Sequence, residues 1–121
     1  MPEKWSFFEN LDEMVYVTDV ETNELVYMNP HLRNALEYRS HEEYHGRKCY
    51  QVLQGCDQPC SFCNNEKLRP GEFLSWTHMN PILHQRFLIK VSMVEVAGRR
   101  YRVEIAINMD SETARSTPSY Y

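Results

Sequence analysis

Two runs in the last third of the chain, residues 87–96 and 100–109, most narrow what it can fold into. In the first, Phe87, Ile89, Val91 and Met93 alternate with Leu88, Lys90 and Ser92. In the second, Tyr101, Val103, Ile105 and Ile107 alternate with Arg100, Arg102, Glu104 and Asn108. A period of two sends successive side chains to opposite faces, so both runs read as strands. The second is the clearest half-buried strand in the chain, with the apolar set as its covered face. Ala97-Gly98 supplies the tight turn between them. Residues 73–80 follow the turn signal Pro70-Gly71 and complete a three-stranded antiparallel meander.

The first half reads differently. Residues 14–18 and 24–28 are rich in β-branched and aromatic side chains and pair as a hairpin with Glu21-Thr22-Asn23 at its tip. Asn29-Pro30 ends the second strand, because proline lacks an amide donor and suits a first helical turn, with Asn29 as the N-cap. Leu32, Ala35 and Leu36 recur at helical spacing. Ser40 with Glu43 three residues on reads as a capping box. Cys49, Tyr50, Val52 and Leu53 share one apolar face of a further helix that Gly55 ends, and residues 64–68 suggest another helical turn. Trp5, Phe7, Phe8 and Leu11 form an amphipathic lead-in helix that caps the core or packs on a partner. The expected organisation is a lead-in over residues 1–12, one α+β domain over 13–110, and a polar tail over 111–121.

A chain of 121 residues with a formal net charge of −4 is a single domain large enough to fold without staples. Its mild acidity argues against a nucleic-acid partner, which calls for a basic face. Its longest apolar runs are strand-sized, so no membrane insertion is expected. The opening Met-Pro-Glu-Lys-Trp-Ser lacks the apolar core of a secretory signal, and a cytoplasmic setting is the expectation.

All four cysteines, Cys49, Cys56, Cys60 and Cys63, fall within fifteen residues. In a reducing compartment such thiols are structural, redox-active or metal-bound; a secreted disulfide scaffold would spread them along the chain. Cysteine packs as a small apolar residue, which suits Cys49 on its helix face. Cys60-Ser61-Phe62-Cys63 is a Cys-x-x-Cys pair that could close reversibly, alone or with Cys49. The same pair could be one knuckle of a tetrahedral zinc site, although Cys49 and Cys56 do not form a second. Cys56, Cys60 and Cys63 also reproduce the Cys-x3-Cys-x2-Cys spacing of radical S-adenosylmethionine enzymes. Length excludes their barrel and leaves a bare iron–sulfur sensor. The structural, redox, zinc and cluster readings all stay open at this point.

The order of elements resembles the PAS domain. Met14-Val15-Tyr16-Val17-Thr18-Asp19 and Leu25-Val26-Tyr27-Met28-Asn29 resemble the opening of that family, in which an aspartate ends the first strand and an asparagine the second. Asp110-Ser111-Glu112-Thr113 resembles the Asp-x-Thr sequence that closes many members. Gly46-Arg47-Lys48-Cys49-Tyr50, Leu53-Gln54-Gly55 and Pro59-Cys60-Ser61-Phe62-Cys63 are similar to a cysteine-bearing bacterial subgroup found ahead of GGDEF diguanylate cyclase, EAL or histidine-kinase modules. Cys49, Cys60 and Cys63 match that subgroup, and Cys56 is additional.

The resemblance implies a five-stranded antiparallel sheet with short helices on one face. It also implies a non-enzymatic, homodimeric sensor module that regulates a fused or partner effector by ligand- or redox-dependent repacking. The pocket-lining candidates are then Tyr50, Leu53, Trp76, His78 and Ile89. Trp5, Phe7 and Phe8 are the dimer-surface candidates, and Asp110 and Thr113 the signal exit. Rival functions are a small zinc- or iron–sulfur-binding protein and a thiol–disulfide redox protein. Residues 49–54 are similar to the Asn-Cys-Arg-Phe-Leu-Gln run of flavin-binding light-oxygen-voltage domains but lack its Asn and Arg, so flavin is not expected. Haem is not expected either, since His31, His41, His45, His78 and His84 offer no distinctive axial ligand.

Overall fold

A computed structural model of the chain describes residues 3–58 and 69–109. Five strands form one sheet: β1 (Met14–Asp19), β2 (Leu25–Met28), β3 (Phe73–Asn80), β4 (Gln85–Val96) and β5 (Arg99–Asn108). Their spatial order is β2-β1-β5-β4-β3, and all neighbours are antiparallel. Between β2 and β3 lie α1 (Pro30–Ala35), a 3-10 turn over His41–Glu43, and α2 (Cys49–Gln54). The five strands and the segment of short helices follow the organisation expected from the sequence.

Local chemistry explains the turns. At the β1–β2 tip, Asp19 Oδ1 accepts the amides of Glu21 (2.9 Å) and Thr22 (3.3 Å), and Asn23 takes the left-handed conformation that asparagine tolerates. The β4–β5 loop has both central residues at positive φ, Ala97 at 52° and Gly98 at 81°, as a two-residue hairpin requires. Gly55 ends α2 in the left-handed conformation, at φ 68°. The register between β1 and β2 shifts between Val17 and Thr18. That irregularity lets Leu25 and Met28, three residues apart, both reach the helical side of the sheet.

Both faces of the sheet are covered. On the inner face, Met14, Phe87 and Ile89 pack with Leu32 of α1, Val52 and Leu53 of α2, and Tyr44. On the outer face, Trp5 meets Tyr101 edge-on at 5.2 Å between centroids and joins Val17 and Tyr27 in a second cluster. The lead-in is thus a 3-10 helix, Glu3–Phe8, lying across the back of the sheet in place of the amphipathic helix expected.

Three further expectations are corrected. The capping box at Ser40 does not form: the Ser40 side chain makes no cap bond, and Glu43 accepts from the amide of Arg39 (3.0 Å). Trp5 is 3% exposed because Tyr101 occupies its face, so its ring is used within the protomer, while Phe7 stays 67% exposed. The polarity of β5 is inverted. Arg102 and Glu104 are buried on the inner face, whereas on the outer face Tyr101 is buried and Val103, Ile105 and Ile107 are only half-buried. Alternation fixed which residues share a face but not which face is the drier one.

Asn29 ties these layers together. It is fully buried, and its Nδ2 donates to the carbonyls of Phe8 (3.2 Å), Leu11 (3.4 Å) and Glu13 (2.7 Å). Its Oδ1 accepts from Val15 (3.1 Å) and, as the N-cap of α1, from Leu32 (3.2 Å). Replacing it with alanine strands several buried groups, each worth roughly 1–3 kcal/mol. Asn29→Ala is expected to cost about 3–5 kcal/mol by urea denaturation, and Asn29→Asp a similar amount, since a carboxylate cannot donate to three carbonyls. A loss below about 1 kcal/mol in both would contradict this role.

Candidate functional site

The inner face of the sheet and the short helices enclose a cavity of about 30 Å³. That is room for about two water-sized guests. Its walls come from β1 (Met14), α1 (Leu32), α2 (Leu53), β4 (Phe87, Ile89) and β5 (Ala106). Asn80 closes one end. Its Nδ2 donates to the carbonyl of Leu53 (3.0 Å), and its Oδ1 accepts the amides of Ile82 and Leu83 (2.9 Å each), locking the end of α2 to the β3–β4 turn.

Polar groups converge on this apolar chamber. Glu104 lines it, and its Oε1 accepts from Arg102 Nη2 at 3.0 Å, both side chains being 7% exposed. The Tyr16 hydroxyl also lines the cavity, within reach of the Glu104 charge. Burial, followed by the Glu104 charge, raises the Tyr16 pKa well above the ordinary phenol value, so the phenol keeps its proton. The Arg102 guanidinium sits 6.0 Å from the centre of the Trp76 ring. Trp76 Nε1 is buried with no acceptor among the described residues. At the cavity mouth, His78 Nε2 and Gln54 Oε1 are 3.0 Å apart, so Nε2 carries the proton that Gln54 accepts.

Among the sequence candidates, Leu53, Trp76, His78 and Ile89 line the cavity. Tyr50 does not, because the turn of α2 that directs Val52 and Leu53 inward leaves Tyr50 to one side. Sequence reading missed Tyr16, Gln54, Asn80 and Glu104. A signal for Glu104 was present: two adjacent inward positions of a sheet strand, 102 and 104, carry opposite charges and can neutralise each other.

Comparison with solved structures decides the architecture. The chain is similar to the PAS domain of an HTR-like protein from Haloarcula marismortui, with a TM-score of 0.69 and 15% identity over 85% of this chain and 86% of that one. It is similar to the PAS domain of nitrogen regulation protein NR(II) from Vibrio parahaemolyticus, with a TM-score of 0.66 and 12% identity, covering 89% and 99% of the two chains. A LOV protein from Rhodobacter sphaeroides gives a TM-score of 0.62 at 18% identity, covering 91% of this chain and 69% of that one.

The fold is the PAS fold.

No family model and no curated protein matches the sequence. At these identities the structural likeness speaks for architecture alone, and any function must be argued from the site.

Within this PAS fold, the cysteine candidates are spread apart in character. Cys49 opens α2, half-buried against the inner core, with its amide donating to Asn23 O at 2.9 Å. Cys56 is exposed just beyond α2. Cys60, Cys63, Asp110 and Thr113 lie outside the described residues, as does the helical turn expected at 64–68. Among the described residues, no three His, Cys, Asp or Glu side chains are grouped to hold a metal ion.

The buried Arg102–Glu104 pair gives a direct test of the inverted strand. Glu104→Ala removes the carboxylate that Arg102 Nη2 contacts in a buried setting and is expected to cost about 3–5 kcal/mol in chemical denaturation. The double change Arg102→Met with Glu104→Leu is expected to recover most of that loss, because an apolar pair of similar size removes both charges together. A double variant no more stable than Glu104→Ala would show that the two charges are not coupled.

Proposed function

We propose that this chain is a sensory and interaction module that regulates a signalling effector, such as a diguanylate cyclase or histidine kinase, and has no catalytic activity of its own. The observation that carries this reading is the cavity that Glu104 lines, with Arg102 buried behind it. A sheet whose inner face served stability alone would place aliphatic side chains at both positions, since burying two charges costs several kcal/mol per ion before pairing returns it. A cavity wall that can rearrange its hydrogen bonds is a use for them. The PAS fold supports the same reading, as an analogy of architecture.

A guest entering the chamber would touch Tyr16 and Glu104 on the sheet and Leu32 and Leu53 on the helices. Its size is that of a few non-hydrogen atoms unless α2 moves. Displacement of Glu104 would pass along β5 toward Asn108 and leave the domain through the segment that holds Asp110 and Thr113. Oxidation of the cysteines is an alternative input, with Cys49 placed to relay it, because its helix turn packs against the same core. No contact among the described residues favours the zinc, iron–sulfur or thiol–disulfide enzyme readings.

The module acts as a cytoplasmic homodimer in this proposal. Val103, Ile105 and Ile107 of β5 and Leu88 of β4 are half-buried on the outer face, and Phe7 and Met79 are exposed. Apolar surface of this kind is what a second copy would cover. Native mass spectrometry tests both parts. The expected spectrum is a dimer carrying a small bound molecule, converted to monomer by Ile107→Lys and emptied by Ala106→Leu, which fills the cavity. A monomeric wild type would refute the dimer. A ligand retained by Ala106→Leu would refute the cavity as its site.

A further inference from the structure

One turn of chain between α1 and α2 sets two imidazoles side by side. His41 and His45 are four residues apart, and the amide of His45 donates to the carbonyl of His41 at 3.0 Å, which closes a turn of α-helical geometry. Side chains at that spacing share a face. The two rings do so, with centres 4.6 Å apart and planes tilted by 42°. His41 is half-buried and His45 is exposed, and neither lines the cavity.

Tyr44 holds His41 by one nitrogen. Its hydroxyl lies 3.0 Å from Nδ1, accepts the amide of Met28 at 2.9 Å, and can give its own proton to the Met28 carbonyl at 3.4 Å. A phenol oxygen accepts two hydrogen bonds and donates one, so Nδ1 can be the donor with every Tyr44 position used. The lone pair of the neutral ring is then on Nε2. A hydrogen bond from one ring nitrogen is what orients the other toward a metal ion in imidazole sites. Tyr44 is fully buried and stands edge-on to the His41 ring at 5.1 Å, so the donor that sets this ring is itself fixed. Burial, followed by the neighbouring His45, lowers the His41 pKa from its ordinary 6.5, with Arg33 acting in the same sense and Glu42 in the opposite one. The ring is therefore neutral at pH 7 and its lone pair is available.

The ring spacing fits a shared ion. Two imidazoles bound to one metal through nitrogen at about 2.1 Å, at a right angle or somewhat wider, have ring centres roughly 4.5–5 Å apart. Two neutral nitrogen donors suit borderline transition ions, whereas Mg2+ and Ca2+ take oxygen ligands. Among the described residues no third His, Cys, Asp or Glu joins them, so water completes the coordination. We propose that His41 and His45 form a two-imidazole site for a borderline divalent transition ion such as Zn2+, Ni2+ or Cu2+ on the surface of the helical segment. The site uses no cysteine, and it does not rest on the sensory reading or on what fills the cavity. An ion bound there pins the turn that carries Tyr44, whose hydroxyl holds Met28 at the end of β2.

NMR of the histidine rings of the whole chain, titrated with buffered free Zn2+ at about pH 7.5, tests it. The ring signals of His41 and His45 are expected to move together on one curve. Their common midpoint is expected about a hundredfold below that of the exposed His84, because a second donor held at a set distance raises affinity without any new contact. Mg2+ over the same range is expected to move neither ring. His45→Gln, a change at an exposed position, is expected to raise the His41 midpoint to the range of His84. Separate midpoints for His41 and His45, a midpoint no lower than that of His84, an equal response to Mg2+, or a His41 midpoint unchanged by His45→Gln would each overturn the site. Reading each ring separately keeps zinc taken up by thiols from counting as binding at this site. The common midpoint needs no variant, so the test stands even if a substituted chain folds poorly.

Discussion

One buried carboxamide, that of Asn29, fixes the relation between the parts of this fold. The segment that runs from the 3-10 helix into β1 has backbone carbonyls to satisfy, and the start of the six-residue helix α1 has free amides. Asparagine is the side chain that can do both, because it donates and accepts at opposite corners of one planar group. Nδ2 takes the carbonyls of Phe8, Leu11 and Glu13, and Oδ1 takes the amides of Val15 and Leu32. Its own amide donates to Val15 O at 3.0 Å, and its carbonyl accepts from Arg33 N at 2.9 Å. The outer cover, the first strand and the helical layer are thus joined at a single residue.

The sheet carries a tension that this joint does not relieve. Its driest face would ordinarily take the most apolar set of each strand, as β4 does with Phe87, Ile89, Val91 and Met93 buried at 5% exposure or less. β5 does the reverse, sending Arg102 and Glu104 inward and leaving Val103, Ile105 and Ile107 half-covered. The register makes this unavoidable. Glu104 lies opposite Tyr16 and Val91, and Val103 opposite Val17 and Ser92, so a one-residue slip would reverse every pair. Among the described residues, mutual neutralisation of the two charges and the Trp76 ring face help to hold the arrangement. Aliphatic side chains could fill the same volume at lower cost, so the inverted polarity is better understood through the cavity than through stability.

Much of this was legible in the sequence, for identifiable reasons. Strand periodicity, the Ala97-Gly98 turn, Gly55 and the Asn29-Pro30 junction are local signals, and each has a physical cause within a few residues. The sidedness of β5 is not local. It depends on which face the helices cover, and outer-face cover comes from a lead-in some ninety residues away, through Trp5 on Tyr101. The same holds for the site. Leu53, Trp76, His78 and Ile89 could be named as apolar or aromatic residues on facing elements, but Tyr16 and Glu104 belong to it only because β1 and β5 are neighbours in the sheet. The Ser40 box failed for the opposite reason. Its spacing was right, but the segment is a three-residue turn, so Glu43 reached back to Arg39 instead.

The joint at Asn29 also bears on how a guest in the cavity would be felt elsewhere. Leu32 lines the cavity, and its amide is held by Asn29 Oδ1; Tyr16 lines it too, and pairs in the sheet with Met28, the residue before Asn29. Met28 in turn is held by Tyr44 through its amide and by Arg33 through its carbonyl. A shift of α1 or β1 must therefore either carry the lead-in with it or break some of these hydrogen bonds, several of them buried. In a well-packed interior such bonds are made or lost in groups, since a half-satisfied buried network is worse than either extreme. Met28, Asn29, Leu32 and Arg33 thus connect the cavity wall to the lead-in without any need for a path across the sheet.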